Sequence, residues 1–127
     1  MKERLMRILL TAALFVTSMF FAAATVRAET FPVVDNQTVR TECGDCHMVF
    51  PPQTLPKALW KKIIGNMSDH FGEDASGLEP NVLAEITAYH VKNASDVSNV
   101  RAAKKWRSNA HFTRIISAPR FKAKHQG

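Results

Sequence analysis

The stretch Cys43-Gly44-Asp45-Cys46-His47 follows the pattern C-x-x-C-H and holds the only two cysteines of the 127-residue chain. Two thiols three positions apart lie on one helical turn, so both can bond to the vinyl groups of a single haem. The histidine that follows can then bind the haem iron from one side. This spacing is typical of the attachment site of a c-type haem. We therefore predict one covalent haem c, with Cys43 and Cys46 as attachment residues and His47 as an axial ligand of the iron.

Three other uses of the cysteine pair are less consistent with the sequence. A structural zinc site needs about four ligands, usually two cysteine pairs or cysteines with spaced histidines, and only one pair is present. A thioredoxin-like redox pair follows a strand in a βαβ pattern, which the sequence around Cys43 does not show. A disulfide between cysteines this close is rare. Haem attachment is thus the interpretation that the sequence favours.

The N-terminal 28 residues have the three parts of a secretory signal peptide. An uncharged apolar run spans residues 8–24, and small residues around Val26 offer a cleavage site after Ala28. Basic residues precede the run at Lys2, Arg4 and Arg7. An uncleaved membrane anchor is the alternative, although the run is at the short edge for a spanning helix, which needs about 20 apolar residues. Either interpretation places the rest of the chain outside the inner membrane, so we expect a periplasmic protein.

Charge divides the remaining chain into two parts. Residues 29–100 carry five basic and ten acidic side chains, whereas residues 101–127 carry eight basic side chains and no acidic one. Basic composition is a poor argument for nucleic acid in an exported haem protein, and we expect no such partner. An acidic protein surface, or peripheral contact with anionic lipid headgroups, fits the basic tail better. We predict a signal peptide at 1–28, a haem-binding domain at 29–100 and a basic C-terminal extension at 101–127.

Proline positions and hydrophobic periodicity predict a small helical domain. Pro56 and Pro80 are well placed to begin helices, and the apolar residues after each of them recur on one helical face. The predicted helices span 41–48, 56–67 and 80–93. Residues 95–107 are predicted as a short helix or linker, and residues 113–127 as irregular. In its order of elements the chain resembles class I cytochromes c, so we predict an all-α, cytochrome c-like domain wrapped around one covalent haem, with an irregular basic C-terminal extension.

The haem motif leaves the ligand on the other face of the iron open. Met67 and His70 precede the last predicted long helix, whereas Met48 is sterically poor beside His47. Met67 also completes an apolar helical face, and a lone histidine in a polar loop is often merely solvated. Further candidates are His90, His111 and His125. A thioether ligand raises the potential of haem iron and an imidazole gives a lower one, so the choice bears on function.

Several runs of the chain resemble the dihaem cytochrome c family. The two most specific are Cys-Gly-Asp-Cys-His at 43–47 and Asp-His-Phe-Gly-Glu-Asp-Ala-Ser at 69–76. Further matches are Pro-Pro at 51–52, Glu-Ile-Thr-Ala-Tyr at 85–89, Lys-Trp-Arg at 105–107 and the run from Arg-Ile-Ile to Lys-His at 114–125. The resemblance covers nearly all of the chain after the signal peptide.

This resemblance implies a periplasmic electron carrier with histidine on both faces of the iron. His70 then becomes the first choice for the sixth ligand, ahead of Met67. The implied partners are a membrane cytochrome b-type electron donor and a soluble haem protein as acceptor. Family members carry a second C-x-x-C-H beyond the position of His125, and the family pattern ties that histidine to the second haem. The present sequence has one such motif, so we expect a shortened relative with one haem.

Electron transfer is the function that these features predict. A six-coordinate haem shuttles one electron with little change in geometry, and the protein tunes its potential. The sequence shows no nucleophile with its base and no carboxylate pair suited to acid–base catalysis, so we do not expect an enzyme. The alternative is binding or sensing of a diatomic gas at an open or weakly ligated iron.

Overall fold

The computed structural model describes residues 2–4, 30–107 and 111–125. From residue 30 onward, the described part of the chain forms five α-helices: α1 Gln37–Gly44, α2 Lys57–Ile64, α3 Pro80–Asn93, α4 Arg101–Trp106 and α5 Pro119–His125. Three short 3-10 segments lie between them: Pro52–Thr54, Met67–Asp69 and Ile115–Ser117. Within the same ranges there is no strand, apart from one isolated bridge between His70 and Glu73. The predicted all-α class is confirmed.

The first helix begins earlier than the sequence suggested. α1 spans Gln37–Gly44, whereas the predicted range was 41–48. The Asn36 side chain accepts a hydrogen bond of 2.8 Å from the backbone N–H of Val39, and this cap fixes the start of the helix. Because the helix is shifted toward the N-terminus, Cys43 lies in its last turn rather than near its beginning.

The second helix is shorter than predicted but has the expected amphipathic character. α2 ends at Ile64, before the predicted end at residue 67, because Asn66 leaves the helical conformation with φ −125° and ψ 51°. Trp60 and Ile64 are buried on one face, and Lys61 lies exposed on the other. The chain then continues into the 3-10 segment that precedes His70.

The packing of α2 against α3 forms the centre of the core. The Trp60 Nε1–H donates to the Pro52 carbonyl at 2.7 Å, and the Trp60 and His90 ring centroids are 4.3 Å apart. α3 covers the predicted range 80–93, and Pro80 occupies its first turn, where its missing N–H costs no hydrogen bond. The buried apolar cluster consists of Val34, Val39, Leu55, Trp60, Ile64, Ile86, Ala94, Trp106 and Ile115.

Residues beyond 100 contribute side chains to the same core. Trp106 of α4 and Ile115 belong to the buried cluster, and Ala118 is fully buried. The chain after residue 113 is more regular than predicted, since α5 begins at Pro119. Proline suits a first helical turn because its fixed φ is already helical.

No helix in the described ranges is long and apolar enough to cross a membrane. The apolar run 8–24 and the predicted cleavage site after Ala28 lie outside the described residues. The signal peptide therefore stays a prediction from the sequence.

Replacement of Trp60 by alanine is expected to lower the free energy of unfolding by about 3–5 kcal/mol, because it leaves a large cavity in the core. Trp60→Phe should lose about 1–3 kcal/mol, since the Pro52 carbonyl loses its buried donor. The check is urea unfolding of the holoprotein, followed by circular dichroism. Val97→Ala is the control, because Val97 is 46% exposed. A loss in Trp60→Ala no larger than in the control would contradict the central role of Trp60.

Candidate haem site

The two cysteines lie at the end of α1 and in the turn that follows it. Both carry free thiols, and Cys43 is half-buried whereas Cys46 is exposed. Burial, and then the charge of the Glu42 carboxylate, raises the pKa of the Cys43 thiol. Neither sulfur atom is used in a disulfide, so both fit the thioether bonds of a covalent haem.

His47 is oriented by a backbone hydrogen bond. Its Nδ1 lies 2.7 Å from the Met48 carbonyl oxygen. A carbonyl can only accept, so Nδ1 carries the proton and donates it. Nε2 is then left with the lone pair that binds a metal ion. The Phe50 ring lies beside the imidazole, with the two centroids 5.6 Å apart.

His70 is presented by a tight two-residue turn. The His70 N–H donates to the Glu73 carbonyl at 2.8 Å, and the Glu73 N–H lies 3.4 Å from the His70 carbonyl. Phe71 and Gly72 between them have φ values of 59° and 100°, as a mirror-image hairpin turn requires. Asp69 Oδ1 accepts from the Gly72 N–H at 3.0 Å. These bonds fix where the turn places its first residue, His70.

The rings of His47 and His70 lie close together in near-parallel planes. Their centroids are 6.2 Å apart and their planes differ by 14°. An imidazole nitrogen binds a metal ion at about 2.0–2.1 Å, and the ring centre lies roughly 1.1 Å beyond that nitrogen. Two imidazoles on opposite sides of one metal ion therefore have centres about 6.2 Å apart by this estimate. The pair is thus spaced as two ligands of a single iron.

The surroundings of His70 favour its neutral form. Burial, and then the charge of His47, lowers the pKa of the His70 imidazole. Its Nδ1 is buried and has no hydrogen-bond partner in the described part of the chain. A buried polar atom without a partner is unfavourable. His70 is accordingly a neutral side chain with bonding capacity left over, which suits a ligand of haem iron.

His90 is engaged in the core rather than facing His47. It is 3% exposed, and its Nδ1 lies 2.8 Å from the Ile86 carbonyl. Its ring packs on Trp60. Burial lowers the pKa of this imidazole, although the bond to Ile86 acts in the opposite direction.

The remaining candidates for the second axial ligand are Met67, Met48, His111 and His125. Met67 is half-buried in its 3-10 segment. Met48 is 67% exposed, and His111 is exposed as well. His125 packs on Phe121 within α5, with ring centroids 4.2 Å apart. Among these four residues of the described chain, Met48 alone hydrogen-bonds to the His47 imidazole, and it does so through its backbone carbonyl rather than its sulfur.

A cavity of about 370 Å³ adjoins the His70 ring, and its walls include Ile63, Phe71 and Thr113. This volume lies within the range of small-molecule sites, about 300–1,000 Å³. The contacts of Phe50 with His47 and of Phe71 with His70 were not predicted from the sequence. Their closeness in the sequence could have indicated these contacts, since Phe50 follows His47 by three positions and Phe71 directly follows His70. The contact of Arg114 with Phe71 was not predicted either, because Arg114 lies far from Phe71 in the sequence and no local pattern marks it.

Gly72→Ala is expected to destabilise the turn that presents His70, because alanine is strained at φ +100°. Nothing lies within 4 Å of a Cβ built there, so the expected loss of roughly 1–3 kcal/mol comes from the backbone alone. The check is the high-spin fraction of the ferric visible spectrum, together with the thermal unfolding midpoint. Gly77→Ala is a matched control, since a Cβ at Gly77 is equally free and its φ is not positive. Equal behaviour of the two variants would contradict this role of the turn.

Residues 39–127 match the family model described as dihaem cytochrome c. No curated protein sequence matches the chain closely enough to count as a relative. Three solved structures do. The chain is 39% identical to a diheme cytochrome c from Rhodobacter sphaeroides, with a TM-score of 0.63 and coverage of 73% of this chain and 74% of that one.

A second Rhodobacter sphaeroides structure, of DHC purified from that organism, is 37% identical with a TM-score of 0.58. The match covers 75% of this chain and 74% of that one. A diheme cytochrome type c from Shewanella baltica is 32% identical with a TM-score of 0.55. Here 74% of this chain and 63% of the other are covered. These similarities confirm the family resemblance inferred from the sequence.

Proposed function

Because the chain belongs to the dihaem cytochrome c family, we propose that it carries single electrons through one covalent haem c bound by two histidines. The family establishes a c-type cytochrome in electron transfer. The number of haems, both iron ligands, the compartment and the partners are our proposals.

The close, near-parallel pair of His47 and His70 rings is the observation that carries this proposal. Its 6.2 Å centroid separation and near-parallel planes match two imidazoles on one iron. When bound, the haem supplies a one-electron couple. Cys43 and Cys46 hold it covalently. The Met48 carbonyl keeps the proton on Nδ1 of His47, so Nε2 would be the nitrogen that binds the iron.

The two imidazoles also set the kind of couple. Imidazole ligands give haem iron a lower potential than a thioether does, so we expect a carrier of low potential. Keeping both ligands through the redox cycle requires little rearrangement of the protein, and the carrier needs no substrate pocket. The single C-x-x-C-H motif of the sequence supports one attached haem in this chain.

We place this carrier in the periplasm, after removal of residues 1–28. The proposed partners are a membrane cytochrome b-type donor and a soluble haem protein as acceptor. The basic residues within 101–127 would steer docking to an acidic surface, or make peripheral contact with a membrane. Steering between opposite charges weakens with salt, so a partner-reduction rate independent of salt would rule out this use of the tail.

The test combines haem quantification, a redox titration and a measurement of carbon monoxide binding. We expect one haem per chain, a reversible one-electron transition and no rapid binding of carbon monoxide by the ferrous protein. Rapid carbon monoxide binding would instead favour the alternative function, binding or sensing of a diatomic gas. The observation that favours this alternative is the left-handed conformation of Phe71 beside His70. Backbone strain next to His70 would weaken the bond between its imidazole and the iron.

A further inference from the structure

Arg114 lies against the turn that carries His70. One guanidinium N–H donates to the Phe71 carbonyl at 3.2 Å. The guanidinium carbon also lies over the Phe71 ring, 4.9 Å from its centroid. The two residues are 43 positions apart in the sequence, so these contacts join the C-terminal part of the chain to the turn.

The residue that Arg114 contacts is the strained residue of this turn. Phe71 has φ 59°, and a bulky side chain is a genuine outlier in the left-handed region. Such a conformation persists only where the surrounding structure over-determines it. Arg114 supplies two such constraints, because it holds the ring of Phe71 and satisfies its carbonyl oxygen.

Arg114 is exposed, but the chain that follows it is anchored in the core. Its neighbour Ile115 is 7% exposed and Ala118 is fully buried. On its other side, Thr113 shares the walls of the cavity beside His70 with Phe71. The backbone that carries the guanidinium is therefore fixed relative to the turn, and a contact from it can restrain the turn.

We propose that Arg114 is a positioning residue that holds the Phe71 turn closed and thereby keeps the His70 imidazole on the haem iron. This inference rests on the proposed bis-histidine function. The event that Arg114 opposes is a ligand exchange without electron transfer. The bond between His70 and the iron breaks, and an external ligand takes the vacated position. Arg114 thus sets how often the iron is open.

The experiment measures carbon monoxide binding to the ferrous holoprotein by stopped flow. Arg114→Ala removes a cation–π contact and a charged hydrogen bond, so we expect binding about tenfold faster than in the wild type. Arg101→Ala is the control, because Arg101 is an exposed residue of α4. This substitution removes one positive charge, as Arg114→Ala does, without touching the two contacts of Arg114 with Phe71. Its binding rate should equal that of the wild type.

A double-mutant cycle separates this role from a general loss of stability. Phe71→Gly removes both the ring and the strain, so Arg114→Ala should have a clearly smaller effect in that background. An effect of equal size in both backgrounds would show that Arg114 acts elsewhere, and would overturn the inference. If the Arg114→Ala protein takes up no haem, Arg114→Gln is measured instead. An unchanged rate of carbon monoxide binding in that variant would also overturn the inference.

The wild-type ferric spectrum distinguishes failure of this inference from failure of the proposed function. A high-spin wild type would remove the bis-histidine proposal and the role of Arg114 with it. A low-spin wild type whose Arg114→Ala variant binds carbon monoxide no faster would overturn the role of Arg114 alone.

Discussion

Replacement of His70 by alanine is expected to change the ferric haem from low-spin to high-spin and to let the ferrous haem bind carbon monoxide readily. The reason is competition for one coordination position, which the His70 imidazole occupies in the proposed bis-histidine site. If the His70 imidazole binds the iron with a free energy of about 4 kcal/mol, carbon monoxide must displace it in the wild type. Removal of the imidazole then raises the apparent affinity for carbon monoxide about a thousandfold. Carbon monoxide titrations of both ferrous proteins measure this change.

His111→Ala is the control for this experiment, because His111 is an exposed histidine outside the pair of His47 and His70. It should behave as the wild type does. His70→Met adds a second comparison, since a thioether ligand raises the potential of haem iron. A His70→Ala protein that stays low-spin would show that another residue, such as Met67 or His125, provides the ligand.

The double variant Cys43→Ser, Cys46→Ser is expected to lose the covalent haem and most of its cooperative unfolding transition. Hydroxyls do not replace the thioether bonds of the two cysteines. A chain this small buries a modest core, and a large apolar cofactor adds to it. Since small domains are stable by only about 5–15 kcal/mol, loss of the haem should leave the domain largely unfolded. Haem staining of a denaturing gel and thermal unfolding measure the two effects.

Met48→Ala is the matched control in the same segment, because Met48 is 67% exposed and adjoins His47. It should keep its haem stain and unfold as the wild type does. A cysteine double variant that retains haem through denaturation would contradict thioether attachment at these positions.

The third helix could be predicted because its signals are local, and haem attachment, whose signal is equally local, stays a prediction. C-x-x-C-H depends on five consecutive residues, and α3 begins where Pro80 suits a first turn and ends as predicted, at Asn93. α1 was misplaced because its start depends on one capping hydrogen bond, from Val39 to the Asn36 side chain. The predicted helix starts rested on proline positions, and Asn36 was not recognised as a cap.

The arrangement of His47 and His70 could not be predicted because it depends on contacts between distant residues. The choice of His70 over Met67 came from a family resemblance, and only the structure brings the His47 and His70 rings to 6.2 Å. A phenylalanine in the left-handed region contradicts its own propensity. The contact that holds it comes from Arg114, which no periodicity or motif links to the turn.

The most direct test of the bis-histidine electron carrier is the low-temperature EPR spectrum of the ferric wild-type protein. The 14° angle between the His47 and His70 planes leads us to expect a rhombic low-spin signal, as near-parallel imidazoles produce. A high-spin signal would contradict the account, because it would mean that no side chain occupies the sixth position of the iron.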